Sequence, residues 1–205
     1  MGKIKQINAQ TNNRFLNMYA LDAINKKGND HTYFVASRAE DKDALKITTK
    51  TNTPDGVVIF SVMRGSTRDE DKVVLIRQYR FTIDDYIYEF PAGLVEKKED
   101  YKTAAIREMK EETGLTFLPI DTDERYERPF FTTVGMTDES CAAVYGYVEG
   151  SISDRFLEDS EEIEVVMVDR KEAARILKEE NVAVMCAYHL MHFIHDEEIF
   201  AFLKP

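Results

Sequence analysis

In the stretch GLVEKKEDYKTAAIREMKEETGL, residues 93–115, Glu108, Glu111 and Glu112 fall within about one turn of a helical pattern, and Glu96, Glu99 and Asp100 precede them. Like charges at i, i+4 cost a few tenths of a kcal/mol each in an isolated helix. Two readings follow. A solvated acidic face, partly offset by Lys102 and Lys110, tolerates the repulsion. A divalent cation offsets it far better: Mg²⁺ takes oxygen ligands, accepts one or two carboxylates with waters, and completes its shell with substrate phosphates. On the helix alone both readings stand.

A second group of potential ligands lies near the C-terminus, where Cys186, His189 and His192 recur at i, i+3 and i+6, with His195 beyond. That spacing drifts around a helix, and amphipathic packing accounts for it better than a transition-metal site. The only other cysteine, Cys141, is remote and no CxxC occurs, so neither a disulfide framework nor a zinc knuckle is expected. A reducing cytoplasm is the expected compartment. No leader-like apolar segment opens the chain and no stretch reaches the roughly 18 apolar residues of a membrane span. A net charge of -11 without a long basic run argues against nucleic acid. The expected partner is a small molecule.

The acidic stretch needs elements to hold it. Tyr101, Ala105 and Met109, at i, i+4 and i+8, give it a buried stripe on a face apart from the glutamates, with Asp100 and Gly114 as caps. Upstream, 14–24 and 31–39 read as a hairpin around NKKGND, and 44–50 (ALKITTK) as a further strand. Strands are expected at 57–63, 72–81 and 86–93, and after the helix at 142–150 and 162–169. Two closing helices are read over 170–181 and 182–203. The break near Pro54 and Gly56 suggests a small antiparallel β unit, 1–53, followed by an α/β unit, 54–205. At 205 residues, 43% hydrophobic, the chain can bury a real core.

The spacing then favours the cation reading. Gly93, five residues, Glu99, seven residues and Arg107-Glu108-Met109-Lys110-Glu111-Glu112-Thr113-Gly114-Leu115 resembles the signature of the Nudix hydrolases at every defined position. The resemblance implies an α/β/α sandwich and hydrolysis of a nucleoside diphosphate linked to another moiety, with Mg²⁺ or Mn²⁺. It makes Glu108 and Glu112 metal ligands, Glu111 a further ligand or outer partner, and Arg107 with Glu99 an ion pair bracing loop against helix.

The flanks LIRQYR and YEFPAGLVE look like the ADP-ribose pyrophosphatase branch. In that branch the Ala92 carbonyl also binds metal, and Glu89 belongs to the turn that carries it. Gly93 would let backbone approach the ion, and Arg80 would reach substrate through paired guanidinium hydrogen bonds. Arg77 is the weaker candidate, since alternation puts it on the opposite strand face. The loop TTVGMTDES resembles the branch's water-activating loop; it makes Glu139 the general base, with Asp138 and Glu111 as competitors. The usual Ser-Pro before the glycine is replaced by Thr133-Val134, which loosens the substrate assignment. The implied products are AMP and ribose 5-phosphate, and the implied assembly is a homodimer to which the N-terminal unit contributes. Other nucleotides (a dinucleotide, another nucleoside diphosphate sugar, coenzyme A) and a non-catalytic ADP-ribose sensor are the alternatives.

Overall fold

The computed structural model describes residues 2–157 and 162–204. In chain order it contains β1 (Lys3–Ala9), β2 (Asn17–Ile24), β3 (Asp30–Ser37), α1 (Lys46–Thr49), β4 (Gly56–Met63), β5 (Lys72–Arg80), β6 (Asp85–Glu89) and β7 (Ala92–Leu94). Then follow α2 (Tyr101–Thr113), β8 (Thr116–Pro119), α3 (Glu124–Glu127), β9 (Phe130–Phe131), β10 (Ser140–Glu149), β11 (Ile163–Val168), α4 (Arg170–Glu179) and α5 (Val184–His195).

These elements form two compact units. The first comprises 1–55 together with 129–141, so the loop carrying Asp138 and Glu139 belongs with the N-terminal strands rather than with the rest of the chain after residue 53. Its antiparallel sheet has the order β1-β2-β3, with Asn17 opposite Ser37 and Ile24 opposite Asp30. β9 pairs with the first two residues of β10, and an isolated bridge joins Ala36 to Thr137.

The second unit, 56–128 and 142–205, is a layered α/β structure on a sheet with the order β11-β5-β4-β10-β8, β6 and β7 pairing with β5 and β4. Period-two alternation sends side chains to opposite faces of each strand. Val57, Ile59, Val74, Ala142 and Val144 therefore pack with Ala104, Ala105 and Met109 of α2. Phe60, Val62, Val73, Leu75, Ala143 and Tyr145 face the other way, onto Ala173 and Ile176 of α4 and Leu190 and Phe193 of α5. Helices on both faces make the α/β/α sandwich.

Several details depart from the sequence reading. The strand read over 86–93 is two, β6 on β5 and β7 on β4, and β8, α3 and β9 were not anticipated. Residues 46–49 are one turn of helix, not part of a strand: Asp41 accepts the Asp43 and Ala44 N–H groups, and Lys50 ends the turn in the left-handed region at φ 59°. The Asp41 turn leads in, and local backbone bonds from the Thr48 and Thr49 N–H groups to the Leu45 carbonyl close the helical turn against the β preference of Ile47, Thr48 and Thr49. The last helix stops at His195, where the Asp196 N–H caps it on the His192 carbonyl; a short 3₁₀ turn at Ala201–Leu203 follows. β1 was not anticipated, because its polar sequence KIKQINA lacks a buried face.

Candidate active site

α2 is set by its ends. The Asp100 side chain accepts the N–H groups of Lys102 (2.9 Å) and Thr103 (3.4 Å), satisfying two donors the helix leaves unpaired. Gly114 closes the helix at φ 75°, a conformation a side chain would strain. Between these caps Ala104, Ala105 and Met109 are fully buried against the sheet. The same packing brings Glu112 down to 4% exposure, where its carboxylate accepts the Ala92 N–H at 3.0 Å. A fully buried glutamate was not evident from the sequence; its position one turn after buried residues on the same helix was the available signal.

β7 supplies the opposite wall. It is registered on β4, with Val58 opposite Ala92 and Val57 opposite Gly93. The Glu108 carboxylate lies directly against Gly93: a Cβ there would stand 1.9 Å from its Cδ. Gly93 is thus needed for close approach of a carboxylate to backbone, since any side chain would drive Glu108 out.

Arg107 ties the acids together. It grips Glu99 in a two-pronged bond (Nε to Oε1 3.1 Å, Nη2 to Oε2 3.0 Å), donates from Nη1 to Glu108 (2.8 Å) and Glu111 (2.9 Å), and reaches the Leu94 carbonyl at 3.0 Å. All five guanidinium donors are therefore engaged. The sequence reading paired Arg107 with Glu99 alone; the structure adds Glu108 and Glu111. The bonds to Glu99 first, then those to Glu108 and Glu111, raise the Arg107 pKa. Reciprocally, Arg107 and then the Glu96 N–H hold Glu99 below the usual carboxylate range. One guanidinium between three carboxylates offsets part of their repulsion and leaves the cluster net negative, a charge that a divalent cation would offset.

A cavity of about 510 Å³ opens here, its walls including Ala92, Gly93, Glu108, Glu111, Glu112 and Phe156. Phe156 is half-exposed and carried no sequence signal. Among the described residues no three His, Cys, Asp or Glu side chains form a ready cation cage. The donor set still fits Mg²⁺ or Mn²⁺, because such ions are held by one or two carboxylates plus substrate phosphates rather than by all-protein cages. The space that Gly93 leaves for the Glu108 carboxylate is the local observation in favour.

The other expected residues lie elsewhere. Arg80 pairs with Glu89 at 2.7 Å across the β5–β6 hairpin, and Arg77 stands 4.0 Å over the Tyr86 ring with Glu164 at 3.7 Å. Among the described residues, none of Arg77, Arg80 or Glu89 lines the carboxylate cavity. In the first unit, Glu139 pairs with Arg38 Nε at 2.9 Å and accepts from the Thr132 hydroxyl at 3.1 Å. Asp138 accepts the Lys46 N–H at 3.3 Å. On α5, Cys186 is buried, His189 bonds Tyr145 (3.2 Å) and the Met185 carbonyl (2.8 Å), and His192 pairs with Asp196 at 2.9 Å. These are packing roles.

A family model described as NUDIX domain matches residues 52–187. The chain is 30% identical over 131 residues to the ADP-ribose pyrophosphatase of Saccharomyces cerevisiae, covering 62% of this chain and 55% of that protein. It is equally identical over 131 residues to the ADP-ribose pyrophosphatase of Bacillus subtilis, covering 63% and 65%. The methanol dehydrogenase activator of Bacillus methanolicus is 30% identical over 133 residues. The matched region spans between about half and two thirds of these relatives. In three dimensions the chain resembles a crystal structure of an ADP compounds hydrolase with a TM-score of 0.67 at 16% identity, over 95% of this chain and 92% of that one, a likeness of fold.

Proposed function

This chain belongs to the NUDIX family, and from that premise we propose that the cavity beside Gly93 hydrolyses a nucleoside diphosphate linked to another moiety, ADP-ribose foremost, giving AMP and ribose 5-phosphate. The observation carrying the reading is the convergence of Glu108, Glu111 and Glu112 on one cavity against the bare backbone of Gly93. Two relatives that are ADP-ribose pyrophosphatases support ADP-ribose as the substrate class.

Glu108, Glu112 and the Ala92 carbonyl would hold Mg²⁺ or Mn²⁺, which when bound neutralises the diphosphate. Arg107 and Glu99 fix the loop before α2 to the helix and so keep these oxygens in register. Attack of water on one phosphorus breaks the bridging P–O bond, and the water's proton passes to a carboxylate. Glu111 is the favoured acceptor, because it lines the same cavity and is half-exposed. Glu139, with Asp138 beside it, is the second reading; like Glu111 on Arg107 it is engaged by a guanidinium, that of Arg38, and also by the Thr132 hydroxyl. Arg80 is proposed to reach the phosphates on exchanging its contact with Glu89.

The N-terminal unit is proposed to build a homodimer, and the compartment to be cytoplasmic. No helix among the described residues is long and apolar enough to cross a membrane. Incubating the protein with Mg²⁺ and a panel of ADP-ribose, other nucleoside diphosphate sugars, dinucleotides and coenzyme A, with products identified by mass spectrometry, tests the reading. Binding of ADP-ribose without cleavage would instead make the protein a sensor.

A further inference from the structure

A second cavity of the α/β unit, about 590 Å³, lies between the β4–β5 turn and the C-terminal segment and shares no wall with the carboxylate site. Its volume is within the roughly 300–1,000 Å³ of small-molecule sites. Arg64 and Arg68 line it from the turn, with Tyr147, Ile120 and Phe200 as its apolar side. Arg170, the first residue of α4, stands immediately behind and donates to the Arg68 carbonyl.

These three arginines are unusual in a chain of net charge -11. Among the described residues, none of them forms an ion pair with a carboxylate. Arg64 stacks on Tyr147, 4.5 Å from the ring centre, and bonds its hydroxyl. Arg68 donates to the Asp196 carbonyl at 2.9 Å. Arg170 lies 4.5 Å over the Phe193 ring, and its Nε and Nη2 are buried without a hydrogen-bond partner. Burial, then the Arg68 charge, lowers the Arg170 pKa. A cation at the first position of a helix is also of the wrong sign for the dipole.

The cavity wall is mixed in sign: Arg64, Arg68 and Lys204 share it with Asp71, Glu197 and Glu198, and the Asp71 charge acts on both Arg64 and Arg170. Asp71 is buried and spends one oxygen on the Gly65 N–H at 3.0 Å, and Glu198 is paired with Lys204. Glu197 remains at the rim. Guanidinium groups that open on a cavity without bonding a carboxylate, with buried Arg170 donors left over behind them, are free to take an anion.

We propose that this cavity binds a free phosphorylated small molecule, its phosphate gripped by the guanidinium groups of Arg64 and Arg68 and balanced against the charge of Arg170. Guanidinium forks match phosphate oxygens in pairs. The strongly acidic whole chain disfavours an anionic lipid surface as the source of that phosphate. The proposal does not rest on the hydrolytic reading of the other site.

Inorganic phosphate and pyrophosphate serve as probes, titrated into the full chain in EDTA, so that the carboxylate cavity holds no cation and repels them, with NaCl matching ionic strength. Saturable binding by calorimetry is expected, with a midpoint of thermal unfolding raised by roughly 3–6 °C at about ten times the Kd. The double variant Arg64→Gln/Arg68→Gln, both positions exposed, should lose at least tenfold in affinity at unchanged circular dichroism. If that variant does not fold, Arg64→Lys/Arg68→Lys keeps the charge and should still weaken binding severalfold. No binding at tens of millimolar probe, an equal response to NaCl, undiminished binding in the variant, or co-sedimentation with phosphatidic acid vesicles that the variant abolishes would each overturn the proposal.

Discussion

The carboxylate cavity and the arginine groove are opposite solutions to crowding like charges. In the first, Glu99, Glu108 and Glu111 gather around Arg107, whose five donors are all engaged. In the second, Arg64, Arg68 and Arg170 gather around neutral oxygens and aromatic faces, and two nitrogen atoms of Arg170 find no partner. The first cluster is held together by an internal guanidinium yet keeps a net negative charge that a metal ion would offset. The second leaves two guanidinium groups on a cavity wall, and buried donors behind them, without a carboxylate partner among the described residues. Partial neutralisation from within suits a site whose charges must stay aligned for chemistry; neutralisation from outside suits binding.

The largest expected effect belongs to the carboxylate cluster. Glu111→Gln keeps size and the Arg107 contact but removes the proposed proton acceptor, so kcat should fall roughly 10²- to 10⁴-fold with KM little changed. A loss under tenfold in steady-state kinetics would transfer the role to Glu139 or Asp138. Glu112→Gln should cost roughly 10²- to 10³-fold in turnover through weaker cation binding, read directly by Mn²⁺ electron paramagnetic resonance. Gly93→Ala should act the same way more mildly, since its Cβ displaces the Glu108 carboxylate. Unchanged Mn²⁺ affinity in both variants would break the comparison at its first term.

Next comes stability. Arg107→Met leaves Glu99, Glu108 and Glu111 facing one another without their shared partner. Because Arg107 is 28% exposed, water screens part of the cost, and a loss of about 1–3 kcal/mol is expected in urea unfolding. Added Mg²⁺ should restore some of that loss while leaving the parent protein less affected, as the ion takes over the neutralising role. Equal Mg²⁺ effects on both proteins would show that Arg107 and the cation do not exchange.

The two regions also differ in how far the sequence reveals them. Glu108, Glu111 and Glu112 are neighbours along one helix, so periodicity alone sets them on one face, and Asp100 and Gly114 mark where that helix begins and ends. Arg64, Arg68 and Arg170 are brought together by the β4–β5 loop, with its 3₁₀ turn at Arg68–Glu70, and by the start of α4, and the sequence carries no short-range trace of that meeting. The same distinction explains the fold. Strands with a buried face, such as β4 and β5, were legible from alternation, whereas polar β1 and the Asp41-anchored turn at α1 depend on partners that periodicity does not encode. Phe156 escaped notice for the same reason: it joins the site through tertiary placement, outside any pattern.

The smallest effect concerns acid, and it separates the clusters by what can titrate. The Arg107 bonds lower the pKa of Glu99 in the folded protein below the 4.5 of the unfolded chain. The unfolded state therefore binds the proton first, and the stability from this pair is complete above about pH 4.5 and lost as pH falls through the lowered folded value. Guanidinium groups keep their charge across this range, so the arginine groove adds no slope of its own. A separate contribution begins at higher pH: burial lowers the His189 pKa from 6.5, so the unfolded chain takes up that proton first and stability starts to fall below about pH 6.5. Equilibrium unfolding measured from pH 8 to pH 3 should thus decline in two stages. Glu99→Gln should make the stage below pH 4.5 shallower and leave the stage below 6.5 intact. The rest of the acid stage comes from Asp123, Glu127, Glu172 and Glu198, which are also held low by cationic partners. His189→Gln should act on the upper stage alone. Arg64→Gln should alter neither. A changed acid limb in Arg64→Gln would mean that the groove is coupled to a titrating carboxylate, and the contrast between an internally braced cluster and an open one would fail.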